Sequence, residues 1–211
     1  MDTSRLRKEY EEEGIDSANA LGDPMEQFNI WYVQAKEAMI PEPDAAVIAS
    51  VNEEEYPSSR FVLVRKIDGD GFVFFTNYRS DKATSFSLSP KVSLTFGWLS
   101  LHRQVRVHGL VEVAKDKESD DYFSQRPRGH QIGAWASPQG QVIPDRKTLE
   151  GRYNEISERF GDGPIPRPEH WGGYRIRPTM IEFWQGRPDR LHDRLRYSWS
   201  NDRWILERLA P

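Results

Sequence analysis

The feature that most constrains this chain is a punctuated series of short β-branched and aromatic runs beginning at Ala45. They cover 45–51, 58–67, 71–76, 91–98, 103–113, 173–184, 191–198 and 203–208, with Gly, Asp, Asn and Pro between them. Side chains of that kind suit a pleated, half-buried surface, and runs of that length bounded by turn residues predict strands. Asp68-Gly-Asp-Gly71 predicts a tight hairpin between two of them. Parallel strands need long crossovers, and no strand–helix alternation supplies them, which excludes a doubly wound nucleotide-binding sheet. The expected class is mainly β, an antiparallel barrel with flanking helices. Helices are predicted over 24–39, 116–125 and 145–160. Asp23-Pro24 supplies an N-cap and a first-turn proline for the first, with Phe28, Trp31, Ala35 and Ala38 at three- and four-residue steps; Leu149, Tyr153, Ile156 and Phe160 repeat that spacing in the third. Residues 23–211 read as a single domain. Residues 1–22 are charged and aperiodic, a mobile arm in which Arg7-Lys8-Glu9-Tyr10 places an aromatic where a lid would carry one.

Composition removes whole classes of chemistry. The absence of cysteine excludes disulfides, thiolate metal sites and thiol nucleophiles. A net charge of -4 gives no overall basic field for nucleic acid or an anionic membrane, so any phosphate site must be local. The first residues, MDTSRLRKEYEEEG, are acidic where a secretory signal needs an apolar core, and no run approaches the length of a membrane span, so a cytoplasmic protein is expected. No HExxH, GxSxG, P-loop or GxGxxG is present. His102 and His108, read as one strand face, would lie about 20 Å apart, too far to share a metal, and no metal site is expected.

Several clusters could hold anions. In Arg190-Leu-His-Asp-Arg-Leu-Arg196, strand alternation predicts Arg190, His192, Arg194 and Arg196 on one face with Leu191 and Leu195 opposite, either an exposed edge face or an anion-binding wall with a histidine. Arg60-Phe-Val-Leu-Val-Arg65 puts its arginines on opposite faces unless a bulge intervenes, which suits two separate anions or an ordinary surface. The segment 75–82 leaves a strand into hydroxyl, amide and lysine groups. Tyr122 and Arg126 can face one site if their helix reaches Arg126. Trp171-Gly-Gly-Tyr174 and Glu182-Phe-Trp-Gln-Gly186 suit either core packing or a flat ring lying on the backbone.

Together, WGGYRIRPTMIEFWQGRPDRLHDRLRY, the terminal ERLAP, QRPRGHQIGAW and RQVRVHG resemble the pyridoxamine 5'-phosphate oxidase family, in order and spacing, over nearly the whole chain. The resemblance implies an FMN-binding split β-barrel and a homodimer with FMN at the subunit interface. It also implies oxidation of pyridoxamine or pyridoxine 5'-phosphate to pyridoxal 5'-phosphate, with O2 reduced to H2O2. Carried over by position, it implies FMN contacts from Arg60, Phe61, Val62, Leu63, Val64, Arg65, Phe75, Thr76, Asp81, Lys82, Gln104, Gln139, Gly140, Trp184 and Arg194. Substrate contacts would come from Arg65, Tyr122, Arg126, His130, Arg190, Leu191 and His192, with Arg7, Lys8, Glu9 and Tyr10 as the lid. Arg190 and His192 would bracket the reacting carbon as the catalytic pair, Arg190 by positioning and electrostatic support and His192 by hydrogen bonding. The chain departs from the family's usual pattern at Arg65 (usually Lys), Asp81 (usually Arg), His130 (usually Ser) and Gly140 (usually Ser), all near expected phosphate contacts. An oxidase of a related ring substrate, as in phenazine biosynthesis, and a non-enzymatic flavin or pyridoxal phosphate binder remain the alternatives.

Overall fold

The computed structural model describes residues 14–211; the proposed lid residues Arg7, Lys8, Glu9 and Tyr10 lie outside them. Helix α1 (Pro24–Glu37) starts as its sequence predicts, with the Asp23 carboxylate accepting from the Met25 N–H at 2.7 Å and proline in the first turn. Its apolar stripe enters the barrel. The Phe28 ring meets Phe72 and Phe96 edge-on at 5.0 and 4.8 Å, and Trp31 meets Phe183 at 5.2 Å.

Strands β1 (Ala45–Val51), β2 (Pro57–Asp68), β3 (Gly71–Asn77), β4 (Lys91–Trp98), β5 (Arg103–Val113), β6 (Trp171–Gln185), β7 (Asp193–Ser200) and β8 (Arg203–Leu209) form one sheet in the order β3-β2-β1-β4-β5-β6-β7-β8. Every pairing is antiparallel, and an added β3–β6 pairing closes the first six strands into a split barrel. The length of β6 makes both parts possible. Its first residues, 171–176, pair with β3, while 180–185 pair with β7, so one strand closes the barrel and then carries the β7–β8 ribbon. The register shifts between His108 and Gly109, where β5 crosses β6 closely; a Cβ on Gly109 would lie 2.5 Å from the Arg177 carbonyl, which only glycine avoids.

Helices α3 (Asp116–Ser124) and α5 (Arg146–Phe160) match the predicted positions to within a residue. Helices α2 (Asp81–Leu88) and α4 (Arg128–Ala136) are not foreseen by the sequence reading. The first is short and serine-rich, the second is interrupted by Gly129 and Gly133, and neither shows a sustained apolar period. Phe123, Ile132, Ile165 and Trp171 make a second apolar cluster beneath α3 and α4. Helix α3 is also clamped to the barrel by charge. Buried Arg175 bridges Asp68 and Glu118, Lys66 joins the same two carboxylates, and Arg167 spans Asp116 and Asp120. Burial pushes the Asp68 carboxyl up, but Arg175 and Lys66 outweigh it and hold its pKa at about 2.

Two local expectations are corrected. The last-but-one strand begins at Asp193 rather than 191, because Pro188–Arg190 form a short 3₁₀ turn with Asp189 and Arg190 left-handed (φ +53° and +61°). His102 caps another 3₁₀ turn in the left-handed region (φ +49°), so it does not share a strand face with His108. Of the segment expected as an arm, 1–22, the described part touches the barrel: the Leu21 carbonyl accepts from the Tyr197 hydroxyl at 2.7 Å and the Ile15 carbonyl from Arg208 at 3.1 Å. Among the described residues no helix is long and apolar enough to cross a membrane.

Candidate active site

Strands β2 and β3, the α3–α4 corner and the loop after α4 enclose a cavity of about 900 Å³, ample for a ligand of cofactor size. Its wall contains Phe61, Val62, Leu63, Arg65, Phe75, Thr76, Lys82, Tyr122, Arg126, His130 and Gln139, eleven of the residues singled out from sequence. Three side chains build an aromatic wall. Phe75 and Tyr122 stack at 3.9 Å with planes 7° apart, and Trp171 lies parallel to Phe75 at 5.7 Å. A flat ring is the natural guest of such a surface. Trp171 therefore serves both readings of its motif, since it packs in the second apolar cluster and faces the cavity.

Two cationic centres stand in or beside this space. At one, Lys82 Nζ donates to Thr76 Oγ1 (3.0 Å), Ser80 Oγ (3.2 Å) and Gln139 Oε1 (3.4 Å), all neutral oxygens. Burial pulls the Lys82 ammonium down, and nearby Arg60 adds to that while Asp81 opposes it. Asp81 and Lys82 are expected in a strand-end loop but form the first turn of α2. Arg60 is held behind this centre by Ser50 Oγ at 3.2 Å and by the Ser58 carbonyl at 3.0 Å.

The second centre is Arg126 with Arg65 and His130. Helix α3 stops at Ser124, so Arg126 reaches the cavity not from the helix face but from a following turn, its N–H donating to the Phe123 carbonyl at 3.2 Å. Its guanidinium lies 4.6 Å from the Trp171 ring centroid, and its buried Nη1 has no hydrogen-bond partner among the described residues. Burial pulls the Arg126 guanidinium below its ordinary value. A buried, unpaired donor is costly, so this atom is suited to an anion. Arg65 pairs with Asp44 at 2.8 Å, and the bulge between Val64 and Lys66 falls at Arg65 itself. Arg60 and Arg65 hold different partners, consistent with two anions rather than one. Val64 points into the core instead and is buried there.

The remaining predicted residues lie elsewhere. Gln104, Trp184 and Arg194 form a cross-strand row on β5, β6 and β7, while Val105, Phe183 and Leu195 beside them are buried in the barrel. None of Gln104, Trp184, Arg190, Leu191, His192 or Arg194 lines the cavity. The expected row of four cations is not formed. Arg190 and Leu191 precede the strand and are exposed, whereas Arg194 and Arg196 pair with Glu182 and Glu207. His192 Nδ1 accepts from the Arg187 N–H at 3.1 Å, and its ring rests 4.7 Å from that of Trp184. That bond leaves Nε2 to carry the proton of the neutral ring.

Glu182 takes a role that its motif, Glu182-Phe-Trp-Gln-Gly186, does not suggest. Buried between Arg106 and Arg194, at 2.6 and 3.0 Å, it ties β5, β6 and β7 together. The signal was its position as the one acidic residue of β6, flanked in the sheet by two strands bearing arginine.

Comparison with known proteins gives the ancestry of this arrangement. Residues 33–160 match the family described as "Pyridoxamine 5'-phosphate oxidase", and 171–211 match "Pyridoxine 5'-phosphate oxidase C-terminal dimerisation region". The pyridoxine/pyridoxamine 5'-phosphate oxidase of Acaryochloris marina is 47% identical over 208 residues, covering 99% of this chain and 95% of the relative. That of Burkholderia thailandensis is 49% identical over 209 residues, covering 98% and 97%.

The chain belongs to the pyridoxamine 5'-phosphate oxidase family.

Among solved structures, PhzG from Burkholderia lata in complex with tetrahydrophenazine-1-carboxylic acid superposes with a TM-score of 0.87 at 27% identity, covering 92% of this chain and 95% of that one. An FMN-binding family relative from Nostoc punctiforme shares the fold, with a TM-score of 0.70 at 15% identity, covering 89% and 98%. The family's dimerisation region coincides with β6, β7 and β8, the ribbon that carries the second group of candidate residues.

Proposed function

We propose that this protein is an FMN-dependent oxidase that converts pyridoxamine or pyridoxine 5'-phosphate to pyridoxal 5'-phosphate, with O2 reduced to H2O2. The observation that carries the reading is the pairing of an aromatic wall with two separated cationic centres around one cavity, Lys82 and Arg126. A ring-bearing phosphate cofactor and a phosphorylated ring substrate ask for that division. The residues fit FMN: Lys82, Thr76 and Gln139 offer donors at the phosphate end with the charge of Arg60 behind them, and Phe61 to Leu63 offer a strand for the ring system. When bound, FMN supplies the hydride acceptor and hands the electron pair to O2.

The chain's own residues bind and orient. Arg126, Arg65, Tyr122 and His130 hold the substrate phosphate, and the unpaired Arg126 Nη1 gains its missing acceptor. Along β6, Trp171 and Trp184 are thirteen residues apart, roughly 40 Å of chain, and none of Trp184, Arg190, His192 or Arg194 lines the cavity of its own chain. A second copy would bring Trp184, Arg190, His192 and Arg194 over the cavity of the first, and a homodimer with the site between subunits follows from this reading. There Arg190 positions the substrate and His192 Nε2–H donates to a ring substituent. A cytoplasmic setting belongs to the same reading, supported by a chain without cysteine.

The test is to load the protein with FMN and mix it anaerobically with each B6 phosphate. The oxidised flavin band should bleach and return with oxygen as pyridoxal 5'-phosphate forms. A band that persists despite confirmed binding of flavin and substrate would refute the oxidase and favour a binding protein. Bleaching only with tetrahydrophenazine-1-carboxylic acid would favour the chemistry suggested by the PhzG likeness.

A further inference from the structure

Two positions beside Lys82 are joined by a contact that neither shows alone. Gly140 has φ +86°, in the left-handed region, and a Cβ built on it would lie 2.9 Å from Asp81 Oδ1 and 3.5 Å from Asp81 Cγ. The aspartate therefore occupies the space a side chain at 140 would need. Both residues border the same centre. Asp81 immediately precedes Lys82 in the first turn of α2, and Gly140 immediately follows Gln139, whose Oε1 accepts from Lys82 Nζ. Neither lines the cavity; they form the layer behind its cationic wall. The Asp81 carboxylate acts electrostatically on both Arg60 and Lys82, against the burial that pulls each of them down. Two cations and one anion leave this end of the cavity with one net positive charge for a phosphate that carries nearly two negative charges.

We propose that Asp81 and Gly140 are a coupled pair that sets how strongly this site depends on the flavin's phosphate, making it less selective for FMN over riboflavin than Arg60 and Lys82 alone would be. The proposal rests on the flavin reading above. A carboxylate placed near a bound phosphate opposes it through partly desolvated space, and removing that charge should tighten FMN by about tenfold. Riboflavin, which lacks the phosphate, should be indifferent. The glycine follows sterically: a side chain at 140 meets the carboxylate, and removing the carboxylate relieves that contact while the strain of the positive φ remains.

The experiment is flavin-fluorescence titration of the full-length protein with FMN and with riboflavin in parallel. Asp81→Asn keeps the shape and removes the charge; the ratio of riboflavin to FMN dissociation constants should rise about tenfold, with the riboflavin constant unchanged. Gly140→Ser alone should weaken FMN and lower the melting temperature, and adding Asp81→Ala should recover part of both, the remainder reflecting the positive φ. A ratio unmoved by Asp81→Asn would overturn the proposal, as would strictly additive effects of the two substitutions. If the unaltered protein binds neither flavin, the functional reading falls and takes the proposal with it. Flavin binding with an unmoved ratio leaves that reading standing and removes only the proposal.

Discussion

The cavity and the C-terminal ribbon treat one arginine each, Arg126 and Arg194, in opposite ways. In the cavity wall, Arg126 is partly buried, its guanidinium against the Trp171 and Phe123 rings and its Nη1 without a hydrogen-bond partner among the described residues. In the ribbon, Arg194 is matched to Glu182 and also donates to the Ala210 carbonyl at 3.0 Å, while Arg196 pairs with Glu207 through Nη2 and keeps a buried Nε without a hydrogen-bond partner among the described residues. An unsatisfied cation stores cost that a ligand can relieve, whereas a saturated one makes its own chain rigid. The cavity keeps a donor open for a ligand, whereas the contacts of Arg194 hold β7 to β6 and to the chain's end.

The sharpest break of that comparison is complementation between subunits. Arg126→Ala in the cavity and His192→Ala in the ribbon should each lower kcat/KM by about 100-fold, the first mainly through KM and the second mainly through kcat with FMN affinity kept. Co-refolding the two inactive variants should return about a quarter of the normal activity, because half of the resulting dimers carry one intact site. Activity no higher than either variant alone would place both groups in one chain's site. Next in size is stability. Glu182→Ala strands Arg106 on β5 and Arg194 on β7 and should cost about 3 kcal/mol in urea unfolding, while Arg126→Ala should cost little or nothing. Equal losses would erase the distinction between a binding cation and a structural one.

The smallest effect concerns the clamp that holds α3 over the cavity. Asp68 is depressed to a pKa of about 2, from an ordinary 3.8. Its contribution is therefore present above pH 3.8 and is lost as the pH falls through about 2. Asp68→Asn should lower stability by about 1 to 2 kcal/mol at neutral pH, and the gap to the unaltered protein should close between pH 4 and 2. A gap that stays constant across that range would mean the charge does no clamping.

Most strands were legible because they carry local signals: β-branched runs, turn residues and the Asp68–Gly71 hairpin all act within a few residues of one another. The cavity's residues were legible by resemblance, and Phe75, Thr76, Lys82, Tyr122, Arg126 and Gln139 do come together. Failures fell where neighbours in space overrule neighbours in sequence. The alternation read through Arg190 to Arg196 breaks at Leu191, because a 3₁₀ turn with two left-handed residues delivers the chain to β7 late. Helix α4, poor in periodic signal, exists because Ile132 is buried in the cluster that includes Trp171 and Phe123.

What the sequence by itself determined is the strand inventory, the antiparallel class, the absence of thiol chemistry and the family. Periodicity, composition and motif are properties of the chain, readable without knowing what it touches. Only the tertiary structure decided that Arg126 keeps an unpaired donor while Arg194 does not, that Asp81 stands where a side chain at Gly140 would be, and that the two groups of candidate residues lie far apart along β6. Those facts depend on which atoms long-range closure brings within a few ångströms, and the pairing of β3 with β6 that closes the barrel joins segments nearly a hundred residues apart.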